Sequence, residues 1–308
     1  MKSTETIINP NPQLQLTHEC AGHAGPIYAV DGDDFFIYTA AADKFVTRWN
    51  RETGQQDPFA IRCESSPFAI KLVRQKNILA IGLSNGHLHF IDLQKRQELH
   101  LYVQHQVGIF AMFEQEDKQQ LFVGDADGFL SVWDTQSLKL KIILPLCSSK
   151  IRAITALDQG RIAIGTNEGE IIIIETEFMN EIHRFYAHEL GVSSVCFEAK
   201  TRQLISGGKD GMLRWWQVED FQILRALPAH KGAIYGIMNL NEEYMVTVSR
   251  DKSIKVWDKS TQHVVQKVEA KNRGHRHSVN GLWTDQNGTV ATVGDDQLLR
   301  VFQWMSKV

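Results

Sequence analysis

Histidine, aspartate and a hydroxyl recur together along this chain, which is the residue set of a hydrolase triad. His188, Ser206 and Asp210 form one such set. A nucleophilic serine would need a unique, exposed position, and no GxSxG elbow surrounds Ser206. The set also returns as His23, Thr39 and Asp43, and as His230, Thr247 and Asp251. A trio that repeats reads as a structural hydrogen-bond relay, because an active site is made once. Other chemical suggestions are weaker. Gly207-Gly208-Lys209 lacks the full phosphate-loop pattern. His275-Arg276-His277 has no third ligand near it in sequence. His87 and His89 would share one face of a strand, yet need a further partner to hold a metal. Asn287-Gly288-Thr289 reads as a hairpin turn. The sequence therefore offers no catalytic residue, no metal site and no cofactor.

The elements that carry the trio are short, β-rich segments on a fixed period. Seven anchors, Trp49, Ile91, Trp133, Ile174, Trp216, Trp257 and Phe302, are spaced by 42, 42, 41, 42, 41 and 45 residues. A period of this length marks a four-stranded propeller blade. In the fifth repeat, strands are expected over residues 191–197, 203–207, 212–217 and 222–227, and helical periodicity is not evident anywhere. A His precedes an aliphatic by four residues at His23, His105, His188, His230 and His275. An Asp follows at Asp43, Asp127, Asp210, Asp251 and Asp296, with an aromatic six residues beyond each. A hydroxyl often lies four residues before the Asp: Thr39, Ser206, Thr247 and Thr292.

This pattern resembles the WD-repeat family over roughly residues 14–304. The resemblance implies a relay in each of three sets: His23, Thr39, Asp43 and Trp49; His188, Ser206, Asp210 and Trp216; and His230, Thr247, Asp251 and Trp257. The donors and acceptors match, since an indole N–H needs a buried acceptor and an imidazole N–H can meet a carboxylate. Other repeats depart from the pattern. The third has Val123 at the hydroxyl position, and the seventh has Phe302 for Trp. The second and fourth carry Glu64 and Cys147 for His, Asn85 and Glu168 for Asp, and Ile91 and Ile174 for Trp, so aliphatic packing must serve there.

The expected fold is all-β, a single seven-bladed β-propeller of four-stranded antiparallel blades over residues 13–308, after a flexible tail at 1–12. No fourth strand follows the seventh repeat, so residues 13–17 should complete the last blade and close the ring. Composition suits a soluble globular chain: of 308 residues, 43% are hydrophobic and 22% charged, with a formal net charge of −3. That charge gives no global attraction to nucleic acid or membrane. The four cysteines have no metal-type or disulfide-framework spacing. The N-terminal segment lacks the apolar core of a signal peptide, and a cytoplasmic location is expected.

Closed blades would gather two positions per repeat on one face around the channel. One is the residue after the aliphatic: Tyr28, Ala69, Phe110, Arg152, Ser193, Tyr235 and Asn280. The other is the residue before the Asp, which includes Lys209, Arg250 and Asp295. Together with Lys150, these supply aromatic and cationic anchors of the types that dominate binding hot spots. Tyr28, Phe110, Lys150, Arg152, Lys209, Tyr235 and Arg250 are the candidate partner-binding residues. The sequence thus points to a non-catalytic scaffold for protein partners, alone or within a larger complex, that binds acidic or phosphorylated segments. An RNA-binding or ribonucleoprotein role ranks second. An enzyme with a channel active site ranks third.

Overall fold

The computed structural model describes residues 12–158 and 160–305. The expected tail falls almost wholly outside them. The chain forms seven four-stranded antiparallel sheets. The fifth blade shows the plan: Val192–Glu198, Gln203–Gly208, Met212–Gln217 and Ile223–Pro228 pair in sequence order. These bounds lie within a residue or two of those read from the turns. Among the described residues, three short 3-10 turns, such as Arg74–Lys76, join strands.

Burial peaks in the second and third strands of each blade. The second and third strands are covered on both faces by neighbouring blades, so they read as apolar runs. In the third strand of the fourth blade, Glu170–Glu175, Ile171 to Ile174 are all fully buried. The outer strand that follows, Glu181–Tyr186, is mostly exposed. The core therefore lies between blades. Val73, Ala80 and Phe90 of the second blade pack with Ile109, Val123 and Trp133 of the third.

The ring is closed by the N-terminal strand. Strand β1 (Gln13–Ala21) pairs antiparallel with β28 (Leu298–Met305), from Gln13 opposite Met305 to Ala21 opposite Leu298. It runs four residues beyond the expected segment, past a bulge between Leu16 and His18. Leu14 also exchanges two backbone hydrogen bonds with the Gln266 side chain of the sixth blade, at 2.7 and 3.1 Å. The first and last blades share a core in which Trp283 and Val293 meet Ile27, Ile37 and Trp49. No helix is long and apolar enough to cross a membrane among the described residues.

All seven innermost strands carry a register shift one residue after their first pair. A bulge of this kind leaves one residue unpaired and re-aims it. The unpaired residues are Tyr28, Phe68, Phe110, Arg152, Ser193, Tyr235 and Asn280. The inner strands line a central channel of about 580 Å³.

Candidate partner-binding mouth and the buried relays

The relays tie together the second and third strands of a blade, the turn between them and the loop before the innermost strand. In the sixth blade, Trp257 Nε1 donates to Thr247 Oγ1 at 2.8 Å. Thr247 Oγ1 lies 2.8 Å from His230 Nε2, and His230 Nδ1 lies 3.1 Å from Asp251. The donors fix the direction. The hydroxyl accepts from indole and donates to Nε2, which leaves Nδ1–H to donate to the carboxylate. Burial disfavours the charged ring, and in the neutral form the proton stays on Nδ1, which faces the carboxylate. The fifth blade repeats the geometry: His188 to Asp210 at 3.0 Å, His188 to Ser206 at 2.8 Å, and Trp216 to Ser206 at 2.8 Å. In the first blade His23 meets Asp43 at 2.9 Å and Thr39 at 2.8 Å, and Trp49 donates to Thr39 at 2.8 Å. Thr47 adds a second hydroxyl, 3.0 Å from His23 Nε2.

Electrostatics follow from burial. Burial pushes the His188 and His230 imidazoles below their ordinary value, although each faces a carboxylate. Burial opposes ionisation of Asp251, but hydrogen bonds from His230 and Ser253 outweigh it and hold the carboxyl well below the usual range. Thr39, Ser206 and Thr247 are wholly inaccessible. No substrate could reach these hydroxyls, so the trio cannot serve as a nucleophile in this fold.

The third repeat needs a correction. His105 Nδ1 meets Asp125, not Asp127, at 2.7 Å, and its Nε2 meets Ser131 at 2.7 Å. Trp133 donates to Ser131 at 2.8 Å. Val123 and Ser131 are directly opposite on adjacent strands, so the hydroxyl has crossed the ladder to the same place. Asp125 ends the second strand, and its carboxylate accepts the Asp127 backbone N–H at 3.0 Å. The seventh blade keeps His275, Thr292 and Asp296, at 2.9 and 2.8 Å. The indole donor is absent there, and Arg300 lies 2.8 Å from Asp296 and 3.0 Å from Glu19, as Arg214 pairs with Asp210 in the fifth blade. Ile91 and Ile174 pack into the aliphatic cores of their blades.

The channel mouth is built by the bulged residues and the turns beside them. Tyr28, Phe68, Phe110, Arg152, Tyr235 and Arg250 line one concavity of about 480 Å³. Tyr28 meets Phe68 edge-on with ring centroids 5.4 Å apart, and Phe68 stacks on Phe110 at 4.8 Å. Sequence reasoning placed Ala69 where Phe68 sits. Pro67 holds the position of the usual aliphatic, so counting from Ile70's apolar run slips by one residue.

Lys150 Nζ stands 3.6 Å from the Phe110 ring centroid, with the Arg152 guanidinium 5.5 Å from the same ring. Burial, then the nearby Arg152 and Lys209 charges, lower the Lys150 pKa. Burial also lowers that of Arg152. Lys209 Nζ donates to the Asn167 amide at 2.5 Å. Among the described residues, no carboxylate lies within ion-pair distance of Lys150, Arg152, Lys209 or Arg250. Arg152 Nε and Ser193 Oγ are buried without hydrogen-bond partners. Asp295, the one acid at the mouth, accepts from Asn280 at 2.7 Å. Beside the mouth, Lys209, Lys231 and Arg250 line a basin with the exposed Leu190, which the motif count passed over. The arrangement can stack a planar or apolar side chain and pair with several negative oxygens.

Comparison with known proteins agrees with this architecture. The family profile described as "WD domain, G-beta repeat" matches residues 179–217 and 221–258, the fifth and sixth repeats. WD repeat-containing protein 55 of Bos taurus is 22% identical over 237 residues, covering 75% of this chain and 61% of that protein. Cilia- and flagella-associated protein 52 of Mus musculus is 26% identical over 160 residues, 50% of this chain and 26% of the relative. WD repeat-containing protein 36 of Homo sapiens is 27% identical over 145 residues, 45% of this chain and 16% of the relative. The chain thus spans 61% of the first of these relatives and much less of the others. Seven four-stranded blades, five of them holding a His–hydroxyl–Asp relay, together with these matches, give the chain the repeat and the fold of WD-repeat β-propellers.

Proposed function

We propose that this protein is a non-catalytic interaction scaffold of the cytoplasm that grips an acidic or phosphorylated segment of a partner protein at the channel mouth. One observation carries the reading: Lys150, Arg152 and Lys209 crowd together without a carboxylate beside the Tyr28–Phe68–Phe110 stack. Uncompensated cations held this close are unfavourable in the free protein. A ligand carboxylate or phosphate relieves that repulsion and gains charge-assisted hydrogen bonds. Tyr235 and Arg250 extend the same wall towards the Leu190 basin. The family's general use of the propeller as a protein-binding platform supports the scaffold part.

The test is capture of partners from native extract on the wild-type chain and on the Phe110→Ala, Arg152→Glu, Lys209→Glu variant. Partners lost only from the variant, with its melting temperature retained, support the mouth as the site. Equal recovery on both baits refutes it. Nuclease treatment separates the RNA reading, because only RNA-bridged material would then be lost from the wild type.

A further inference from the structure

We propose that the second blade holds a divalent zinc-class ion between Glu64, His87 and His89, in the place that a hydrogen-bond relay occupies in other blades. His89 lies on the third strand of that blade, Leu88–Asp92, and His87 immediately precedes this strand. The third group comes from a distant segment. Glu64 lies in the loop before the innermost strand of that blade, Pro67–Val73, one residue after Cys63, which rather than Glu64 holds the place of the relay histidine four residues before the strand.

The ligand atoms converge. His87 Nδ1 is 2.7 Å from Glu64 Oε1, and His89 Nε2 is 3.3 Å from the same oxygen. All three ligand atoms lie within 4.8 Å of one another. Ligands about 2 Å from a tetrahedral zinc stand about 3.3 Å apart, so the cluster needs only small adjustments to take the ion.

The chemistry of His89 favours a metal over a plain hydrogen bond. Its Nδ1 lies 2.5 Å from Glu98 Oε1, on the outer strand Gln97–Tyr102. That carboxylate holds the proton on Nδ1 and leaves Nε2 with a lone pair facing Glu64. Two lone-pair atoms face each other there unless a proton or a cation lies between them. A carboxylate behind a metal-binding imidazole is the usual way to fix its tautomer. Two imidazoles and one carboxylate suit zinc, with water in the fourth position. Lys44, whose Nζ donates to the Glu64 carbonyl at 3.1 Å, is the nearby cation and points to the backbone oxygen, away from the ligand set.

The register explains why this blade has room for an ion. His89 is opposite Ile81, the position that carries Thr39, Ser206 or Thr247 in the relay blades. With no hydroxyl, no relay histidine and no tryptophan, this blade has no His–Asp relay to hold the loop before it among the described residues. The ion would tie that loop to the third strand, as His–Asp does elsewhere.

The test is zinc titration by calorimetry and cobalt absorption on the full chain, first freed of metal with chelator. One saturable zinc per chain is expected, with cobalt giving the intense visible bands of a low-coordinate site. Affinity should fall at least 100-fold in His87→Ala, His89→Ala. Glu98→Gln, which touches no metal, should weaken binding about 10–100-fold by releasing the His89 tautomer. Zinc should also raise the melting temperature of the wild type but not of the double variant. If the double variant misfolds by circular dichroism, the exposed Glu64→Gln carries the same test. Failure of the wild type to take up zinc, or uptake that survives in the folded His87→Ala, His89→Ala or Glu64→Gln variant, overturns the proposal.

Discussion

Each relay residue matters because it is buried and its polar atoms are satisfied within the blade. Thr247 is the only acceptor for the Trp257 indole and the only donor to His230 Nε2. Thr247→Val keeps the shape and orphans both groups. At about 1–3 kcal/mol for an unsatisfied buried group, the variant should lose about 2–4 kcal/mol. The midpoint of urea unfolding should fall with an unchanged slope. Thr39→Val should cost less, because Thr47 Oγ1 already lies 3.0 Å from His23 Nε2 and can supply its proton. Equal losses in the two variants would show that the second hydroxyl is not a substitute. The same relays set a pH dependence. Burial depresses the folded-state pKa of His188, His230 and His275, so the unfolded chain takes up these protons first. Stability from them is full above the unfolded value of about 6.5 and is lost as pH falls through it. Asp210, Asp251 and Asp296 are also depressed: burial opposes this, but the His hydrogen bonds and their other partners prevail. Their contribution is full above about 3.9 and is lost below it. Melting temperature should be flat above about pH 7, fall through the histidine range, and fall again below about pH 4. A melting temperature that rises between pH 7 and 5 would contradict neutral relay histidines.

At the scale of elements, the blade count and strand order were legible because one period repeats and each strand is short and bounded by turns. The closure was legible too, because the last repeat lacks an outer strand that the first residues can supply. What spacing could not register was a change across the ladder. Ser131 replaces the hydroxyl missing at Val123, and Asp125 takes the role read onto Asp127, because the three-dimensional place is filled from the opposite strand or from two residues earlier. Phe68 was missed for a related reason: a bulge offsets register by one, and Pro67 hid where it starts. The Glu64 partner of His87 and His89 was invisible because 23 residues of chain separate it from His87. Closure makes a sharp prediction. Removal of residues 1–20 deletes nearly all of β1, its ladder to β28, and the Leu14 contacts with Val290, Phe302 and Trp304. Removal of residues 1–10 leaves that ladder whole. The longer truncation should melt far lower or fail to fold, and the shorter should melt close to the full chain. Thermal melts that do not separate the two would mean that β1 is not needed for closure.

For the whole molecule, the question is why a chain with net charge −3 keeps a basic mouth. The acids are spent elsewhere, in relays and in ties between blades. Lys259 of the sixth blade pairs with Glu198 of the fifth, and Lys71 of the second blade meets Asp31 of the first at 3.0 Å. At the mouth the opposite holds. Burial and then the Arg152 charge lower the pKa of both Lys150 and Lys209, Lys209 also acting on Lys150, and the aromatic stack offers only the face of Phe110 in return. A set of like charges that costs stability is expected where function needs it. Lys150→Met, which keeps the chain's length and apolar contact while removing one charge, should therefore leave the fold unharmed or raise the melting temperature by one or two degrees, in line with a gain of about 0.5 kcal/mol. The same substitution should weaken partner capture and flatten its salt dependence, since one fewer cation meets the acidic segment. Stability and binding should thus move in opposite directions in one variant. If Lys150→Met lowers the melting temperature by several degrees, Lys150 is a structural cap on Phe110, and the mouth would lose its claim to be a surface held ready for an anion.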